Sequence, residues 1–81
     1  MKNLEMIHRM KRMDKLISMK ATGTPKEFAE RIDLSVSRLY EIIVGMKKIG
    51  VPIKYSRILG SYFYKKPGEF IIDIEWKDKI N

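Results

Sequence analysis

The sequence contains no cysteine and a single histidine, His8. The first absence excludes a disulfide framework, and the two together leave no credible set of zinc ligands. Long apolar runs are also missing, because charged residues recur every few positions in the N-terminal stretch MKNLEMIHRMKRMDK. That pattern predicts neither a signal peptide nor a membrane helix. We therefore expect a cytoplasmic protein that has no metal, no cofactor and no membrane segment.

Motifs for catalysis are scarce as well. The chain has no Gly-rich phosphate loop, no nucleophile elbow and no HExxH sequence. Asp73 and Glu75 are spaced like paired carboxylates, but the exposed face of an amphipathic strand explains them better. His8 falls on the polar side of the first predicted helix, which favours a surface position. We expect no enzymatic activity and no small-molecule substrate.

Acidic residues are fewer than basic ones, with 10 Asp and Glu against 17 Lys and Arg, for a net charge of +7. Residues 1–66 carry +9, whereas residues 67–81 carry −2. A basic body suggests a polyanionic partner such as nucleic acid, although basic charge also serves solubility. The length of 81 residues allows one domain, spanning residues 1–81, with one modest core.

Three helices are predicted over residues 4–49. The first extends from Leu4 to about Met19, with Met-rich apolar residues on one stripe that we interpret as core packing. The second begins at TPKE, where Thr24 and Glu27 form a capping box. Ser35 caps the third helix, about Val36 to Lys48, which ends before Gly50.

The C-terminal part of the chain is predicted to form strands. Residues 53–56 and 61–64 are rich in β-branched and aromatic residues, and residues 57–60 between them end in a glycine suited to a tight hairpin. The hairpin region covers residues 51–66. A third strand is predicted from Glu69 to Trp76, within a C-terminal segment of residues 67–81, because apolar and polar residues alternate there.

The two caps Thr24 and Ser35 lie only eleven positions apart. Two short helices joined by about three residues cross at a steep angle, as in a helix-turn-helix, here residues 24–48. Ala29 is small enough for close approach of the two helices. Asp33 is a residue type that tolerates a left-handed backbone in the turn. Ile49 is predicted on the core side of the third helix, together with Leu39, Ile42, Ile43 and Met46.

Two segments, TPKEFAERIDLSVSRLYEII and MKKIGVPIKYSRILGSYFY, resemble the winged helix-turn-helix domains of bacterial transcription regulators. The likeness is to the small type found at the N-terminus of biotin-operon repressors, and it covers about Leu4 to Tyr64. It implies an α+β fold, in which a three-helix bundle is followed by a β-hairpin wing and a further C-terminal strand. Asp33 departs from the usual Gly of the turn. Residues 1–81 also contain no effector or enzymatic domain.

The resemblance implies sequence-specific binding of double-stranded DNA, with the helix 36–48 in the major groove. Its outward side carries hydroxyl, aromatic, charged and Val side chains that suit base edges, phosphates and thymine methyl groups. Lys26, with the free N–H groups of the second helix, and the hairpin cations are expected to meet phosphates. The candidate DNA-binding residues are Lys26, Ser35, Ser37, Arg38, Tyr40, Glu41, Lys48, Lys54 and Arg57.

Other basic residues are less informative. Lys65 and Lys66 are equally well explained as an ordinary solvated pair or as further phosphate contacts. The cluster Arg9, Lys11, Arg12 and Lys15 is interpreted as a solvated helix face that adds a salt-dependent attraction.

Alternatives to DNA binding remain open from the sequence. A winged helix also serves as a protein-interaction module, which the acidic end and the apolar last strand favour. RNA binding through the hairpin residues Tyr55, Tyr62 and Tyr64 ranks lower, because aromatics at alternating strand positions usually belong to the core. A homodimer is expected through the first helix or the last strand.

Overall fold

The computed structural model describes residues 2–68. Three helices are followed by one antiparallel hairpin, which confirms the predicted α+β class and the order of the elements. The predicted third strand, Glu69–Trp76, lies outside the described residues. None of the helices within residues 2–68 combines the length and the apolar character that a membrane span requires. The elements are α1 Lys2–Ser18, α2 Pro25–Arg31, α3 Val36–Lys48, β1 Ile53–Ser56 and β2 Ser61–Tyr64.

Helix α1 contributes to the core mainly through its C-terminal half. Met13 and Ile17 of the predicted stripe are fully buried, whereas Leu4 is exposed. Beyond Ser18 the chain turns through Lys20, which has a positive φ of 54°. The N–H of Ala21 donates to the carbonyl oxygen of Leu16 at 2.9 Å, and this bond closes the end of the helix.

Helix α2 begins with both halves of the predicted capping box. The Glu27 N–H donates to Thr24 Oγ1 at 3.2 Å, and the Thr24 N–H donates to Glu27 Oε1 at 2.9 Å. Gly23 precedes the cap with φ +75°, and a Cβ placed there would lie 2.9 Å from the Glu27 side chain. Only glycine therefore fits both the backbone conformation and the space.

The turn between α2 and α3 follows the prediction closely. Asp33 has φ 60°, which is the left-handed backbone expected for it. The N–H of Leu34 donates to the carbonyl oxygen of Ala29 at 2.9 Å. Ser35 Oγ then accepts from the Arg38 N–H at 3.1 Å and starts α3. Within four residues, the turn thus provides hydrogen-bond partners for backbone groups at the end of α2 and at the start of α3.

Ile49 does not lie on the core side of α3, and that prediction is wrong. The side chain is 70% exposed. Helix α3 ends at Lys48, and Ile49 forms its C-cap. Gly50 then turns the chain with φ +97°, so the helical periodicity no longer applies at position 49. The other four residues predicted for that side, Leu39, Ile42, Ile43 and Met46, are buried or pack against the core.

The core joins the three helices to the hairpin. Phe28 of α2 and Tyr62 of β2 contact each other with ring centroids 5.5 Å apart, and Tyr55 meets Tyr62 edge-on at 5.0 Å. The side chains that form this cluster are Met13, Ile17, Phe28, Ala29, Ile32, Leu39, Ile43, Met46, Ile53 and Tyr62. Tyr62 of the hairpin is thus a core residue, and Tyr55 and Tyr64 are partly buried against the core, as the alternation of the strands indicated.

A buried polar junction attaches the hairpin to the segment between α1 and α2. Thr22 and Ser61 are both essentially inaccessible to solvent. Thr22 Oγ1 accepts from the Tyr62 N–H at 2.8 Å, and Ser61 Oγ accepts from the Thr22 N–H at 3.0 Å. A second link is made by Tyr64, whose hydroxyl donates to Asp14 Oδ1 at 2.6 Å. Burial and this bond raise the pKa of Tyr64 above its usual range.

Candidate functional site

The outward side of α3 is a shallow, open surface, and its lining residues all come from that helix. We call this surface the α3 face, and its residues are Ser37, Tyr40, Glu41, Val44 and Lys48. Helical spacing places all five on the side opposite the buried Leu39, Ile43 and Met46. The structure thus brings together four of the nine candidate residues with Val44, the valine that the sequence places on the same outward side.

The α3 face is partly apolar. Tyr40 is 48% exposed and Val44 is 50% exposed. Tyr40 also lies close to the hairpin. Burial, with smaller contributions from Tyr40 and Tyr55, raises the pKa of Tyr62 to about 12. The face therefore combines hydroxyl, carboxylate, ammonium and apolar groups next to the hairpin.

Arg38 lies at the flank of the α3 face and is paired with one of its members. Its Nη1 is 2.9 Å from Glu41 Oε2, and both side chains are more than half exposed. An exposed pair at this spacing contributes at most about 1 kcal/mol, so a competing ligand opens it at little cost. Arg38 and Glu41 are thus both available to a partner, although they neutralise each other in the free chain.

Ser35 has a structural role that limits what it offers a ligand. Its Oγ accepts the Arg38 N–H, and this cap is what starts α3. The hydroxyl is exposed, so its proton remains free to donate to a neighbouring acceptor.

Lys26 is exposed on α2, outside the α3 face. The first turn of that helix already holds a carboxylate, because Glu27 takes part in the capping box. Hydrogen bonds from Thr24, followed by the Arg31 charge, hold the pKa of Glu27 below its usual value. A phosphate approaching this helix end would meet that negative charge, so the free N–H groups expected there give little support to phosphate binding.

Lys54 belongs to a different surface, a groove of about 530 Å³ beside the C-terminal end of α3. We call it the lysine groove, and it is formed by Lys47, Lys54, Lys65 and Lys66 around residues 50–53. Lys47 was not among the sequence candidates, and Lys65 and Lys66 were left undecided. Their convergence has no local signal, because the four lysines come from three separate segments.

The hairpin turn carries the remaining candidate, Arg57, which is exposed. Ser56 Oγ accepts from the Leu59 N–H at 3.1 Å and orders the turn. Ile58 at the tip is 99% exposed, and Leu59 beside it is also exposed. The tip is therefore one arginine next to uncovered apolar side chains.

A third surface, a groove between α1 and the α2–α3 turn, has mixed charge and a structural use for its arginines. Arg9 Nε donates to the Ile32 carbonyl oxygen at 2.8 Å. Arg31 Nη1 donates to the Ala21 carbonyl oxygen at 2.6 Å. His8 is exposed here, as predicted, near Glu5 and Asp33. Within residues 2–68 no cluster of three His, Cys, Asp or Glu side chains is placed to hold a metal ion.

No protein-family model matches the chain, and comparisons with curated proteins and with solved structures likewise return no match.

Proposed function

We propose that this chain is a winged-helix protein that binds double-stranded DNA in the cytoplasm and regulates transcription. In this proposal α3 enters the major groove with the α3 face, and the hairpin β1–β2 is the wing. The observation that carries the proposal is the α3 face itself. It is the outward side of a capped helix and carries side chains of the kinds that contact base edges, on a domain whose residues 1–66 carry a net charge of +9.

The dimensions and the chemistry of α3 support this use. An α-helix with its side chains is about 10–12 Å across, which matches the roughly 12 Å width of the major groove. Val44 suits a thymine methyl group, and Glu41 suits the amino group of cytosine. Arg38, once released from Glu41, suits the two acceptors of guanine. We assign no catalysis, cofactor or small-molecule substrate to the chain.

The experiment is selection of bound sites from a random duplex library, followed by titration at two salt concentrations. Arg38→Ala is compared with Arg12→Ala, which removes an exposed arginine from α1. We expect Arg38→Ala to weaken binding to the selected site by roughly fivefold to 150-fold, because a bidentate base contact is worth about 1–3 kcal/mol. Arg12→Ala should weaken selected and random duplexes alike.

Two results would overturn the proposal. One is failure of the wild type to bind any duplex at low salt. The other is binding that does not weaken as salt rises, because release of counterions requires that dependence.

A protein-interaction module is the second candidate, and one observation favours it. Tyr40, Val44, Ile58 and Leu59 are all uncovered apolar or aromatic side chains. A protein partner would bury them and would bind with weak dependence on salt. The salt titration therefore separates the two candidates.

We also propose that the protein acts as a homodimer, as the first helix suggests. Leu4 is exposed, and Ile7 and Met10 of the same stripe are only partly buried. A second copy would cover this half of α1. Light scattering at working concentration is expected to give twice the monomer mass, and a monomer mass would refute the dimer.

A further inference from the structure

Among the described residues, the lysine groove gathers positive charge without opposing charge. Lys47 comes from the last turn of α3, Lys54 from β1, and Lys65 and Lys66 from the segment after β2. Among the described residues that line it, none is acidic. Its other lining residues are Gly50, Val51, Pro52 and Ile53.

The same charge continues around the base of the hairpin. Lys65 and Lys66 also line a neighbouring groove of about 300 Å³, which contains Lys20. The residues described in that lining likewise include no carboxylate. Five lysines thus border two adjoining grooves.

The dipole of α3 explains only part of this cluster. Cations near a helix C-terminus are favourable, which accounts for Lys47. It does not account for Lys54, Lys65 and Lys66, whose ammonium groups repel one another on a shared surface. A polyanion would relieve that repulsion.

The backbone that carries these lysines is held in place. The N–H of Lys65 donates to the carbonyl oxygen of Pro52 at 2.8 Å, which ties the two ends of the hairpin together. The neighbouring register pairs Ile53 with Tyr64, and both pack in or against the core. The stems of Lys54 and Lys65 thus start from ordered positions on either side of the hairpin base.

The lysine groove adjoins the α3 face at the last turn of α3. Lys48 lines the α3 face and Lys47 lines the lysine groove. Successive helical residues point about 100° apart, so the two surfaces diverge from one helical turn. A DNA strand that flanks a major groove occupied by α3 would pass the last turn of α3, where the two surfaces meet.

We propose that the lysine groove binds the sugar–phosphate backbone of the same duplex that receives the α3 face. This inference rests on the proposed function and extends it to Lys47, Lys65 and Lys66. A single phosphate needs one or two ammonium groups. Five lysines along two adjoining grooves fit a series of phosphates, which duplex DNA supplies at one charge per 3.4 Å of axis on each strand.

The test is the double variant Lys65→Gln/Lys66→Gln in the full chain, compared with Lys11→Gln/Lys15→Gln. Both pairs are exposed and both lose two charges, but the control pair lies on α1 outside the two grooves. Binding to the selected duplex and to a random duplex is titrated at several salt concentrations between 50 and 200 mM. Circular dichroism confirms that both variants fold.

For the groove variant, the slope of log affinity against log salt should become shallower by about 1.8, because each lost phosphate contact removes about 0.9. Affinity for both duplexes should fall together, so the preference between them stays the same. The control variant should change the slope by much less.

Equal slopes for the groove and control variants, with the wild type still binding, would overturn this inference and leave the proposed function intact. A changed site preference at an unchanged slope would also overturn it. Failure of the wild type to bind any duplex at 50 mM salt would overturn the proposed function, and this inference with it.

Discussion

The α3 face and the lysine groove meet at one turn of α3, yet they differ in chemistry. The α3 face mixes an aromatic ring, an aliphatic side chain, a hydroxyl, a carboxylate and one ammonium group. Its flanking arginine is already paired with Glu41. The lysine groove presents four ammonium groups, and none of the described residues lining it carries a negative charge.

This difference separates two tasks in the proposed complex. Base pairs differ in donors, acceptors and methyl groups, so a surface must carry varied groups to distinguish them. Phosphates are alike along a duplex, so uniform positive charge holds the backbone without reading sequence. Site preference and salt-dependent affinity are therefore expected to depend on different residues.

The largest predicted effect concerns the junction that holds the hairpin, and its lysines, against the helices. Thr22→Val should lower the free energy of unfolding by about 2–3 kcal/mol, since it leaves the buried Tyr62 N–H without its acceptor. Thr24→Val is the control, because it removes an exposed cap worth about 1 kcal/mol. Denaturant unfolding measures both, and equal losses would show that the buried junction contributes no more than the exposed cap.

A smaller effect is expected at the turn that sets how α3 is presented. Asp33 has φ 60°, so Asp33→Val should cost about 1–2 kcal/mol because a β-branched side chain is strained there. Asp33→Gly should fold at least as stably as the wild type, since glycine has no such strain. Thermal unfolding of both variants tests this. A Val variant as stable as the Gly variant would contradict the left-handed turn.

The separation of tasks is tested directly by single changes on the two surfaces. Val44→Ser should change the preference for one base over the others, at one position of the site, by about 1 kcal/mol, or roughly fivefold. The slope of affinity against salt should stay the same. Lys54→Gln should reduce the slope by about 0.9 and leave the preferred sequence as it was. Site selection and salt titration measure both. If Val44→Ser changed the salt slope and Lys54→Gln changed the preferred sequence, the roles assigned to the two surfaces would be refuted.

Gly45 offers a test in which a substitution should stabilise the protein, by up to about 1 kcal/mol. It lies inside α3, is exposed, and has no atom within 4 Å of an added Cβ. Gly45→Ala should therefore raise stability by up to about 1 kcal/mol, the usual difference in helix propensity. The midpoint of thermal unfolding should rise by about 4–8 °C for a domain of this size. A fall in the midpoint would show that the space is not open.

The smallest effect concerns pH and the start of α2. The pKa of Glu27 is below its ordinary value near 4.5, so its ionised form is favoured in the folded chain. Its contribution is fully present above that value and is lost as the pH falls through the lowered pKa. The stability difference between wild type and Glu27→Gln should be constant from pH 6 to 8 and should shrink below about pH 4. An unchanged difference in acid would contradict the ionic cap.

The sequence predicted best what short-range interactions decide. Thr24 and Ser35 bond to N–H groups three residues away, so their caps were visible in the sequence. The limits of β1 and β2 also agree with the prediction. Ile49 was wrongly predicted on the core side because α3 ends at Lys48, and the chain turns away at the left-handed Gly50.

Interactions between distant residues were beyond prediction from the pattern. Thr22 and Ser61 are 39 positions apart, and neither has a neighbour in sequence that marks it as a partner. The candidate residues on α3 were grouped by helical geometry alone. Lys54 was grouped with Arg57 by sequence, although the structure places it with Lys47 at the base of the hairpin and Arg57 at the tip.

The sequence by itself determined the helices, their caps, the left-handed turn at Asp33, the two strands and the excess of positive charge. These depend on bonds and side-chain spacings that span a few residues. Only the tertiary structure decided that Lys47, Lys54, Lys65 and Lys66 share one groove and that Thr22 anchors β2. The physical reason is that such convergence depends on how the helices and the hairpin pack around Phe28 and Tyr62, and no local pattern encodes that packing.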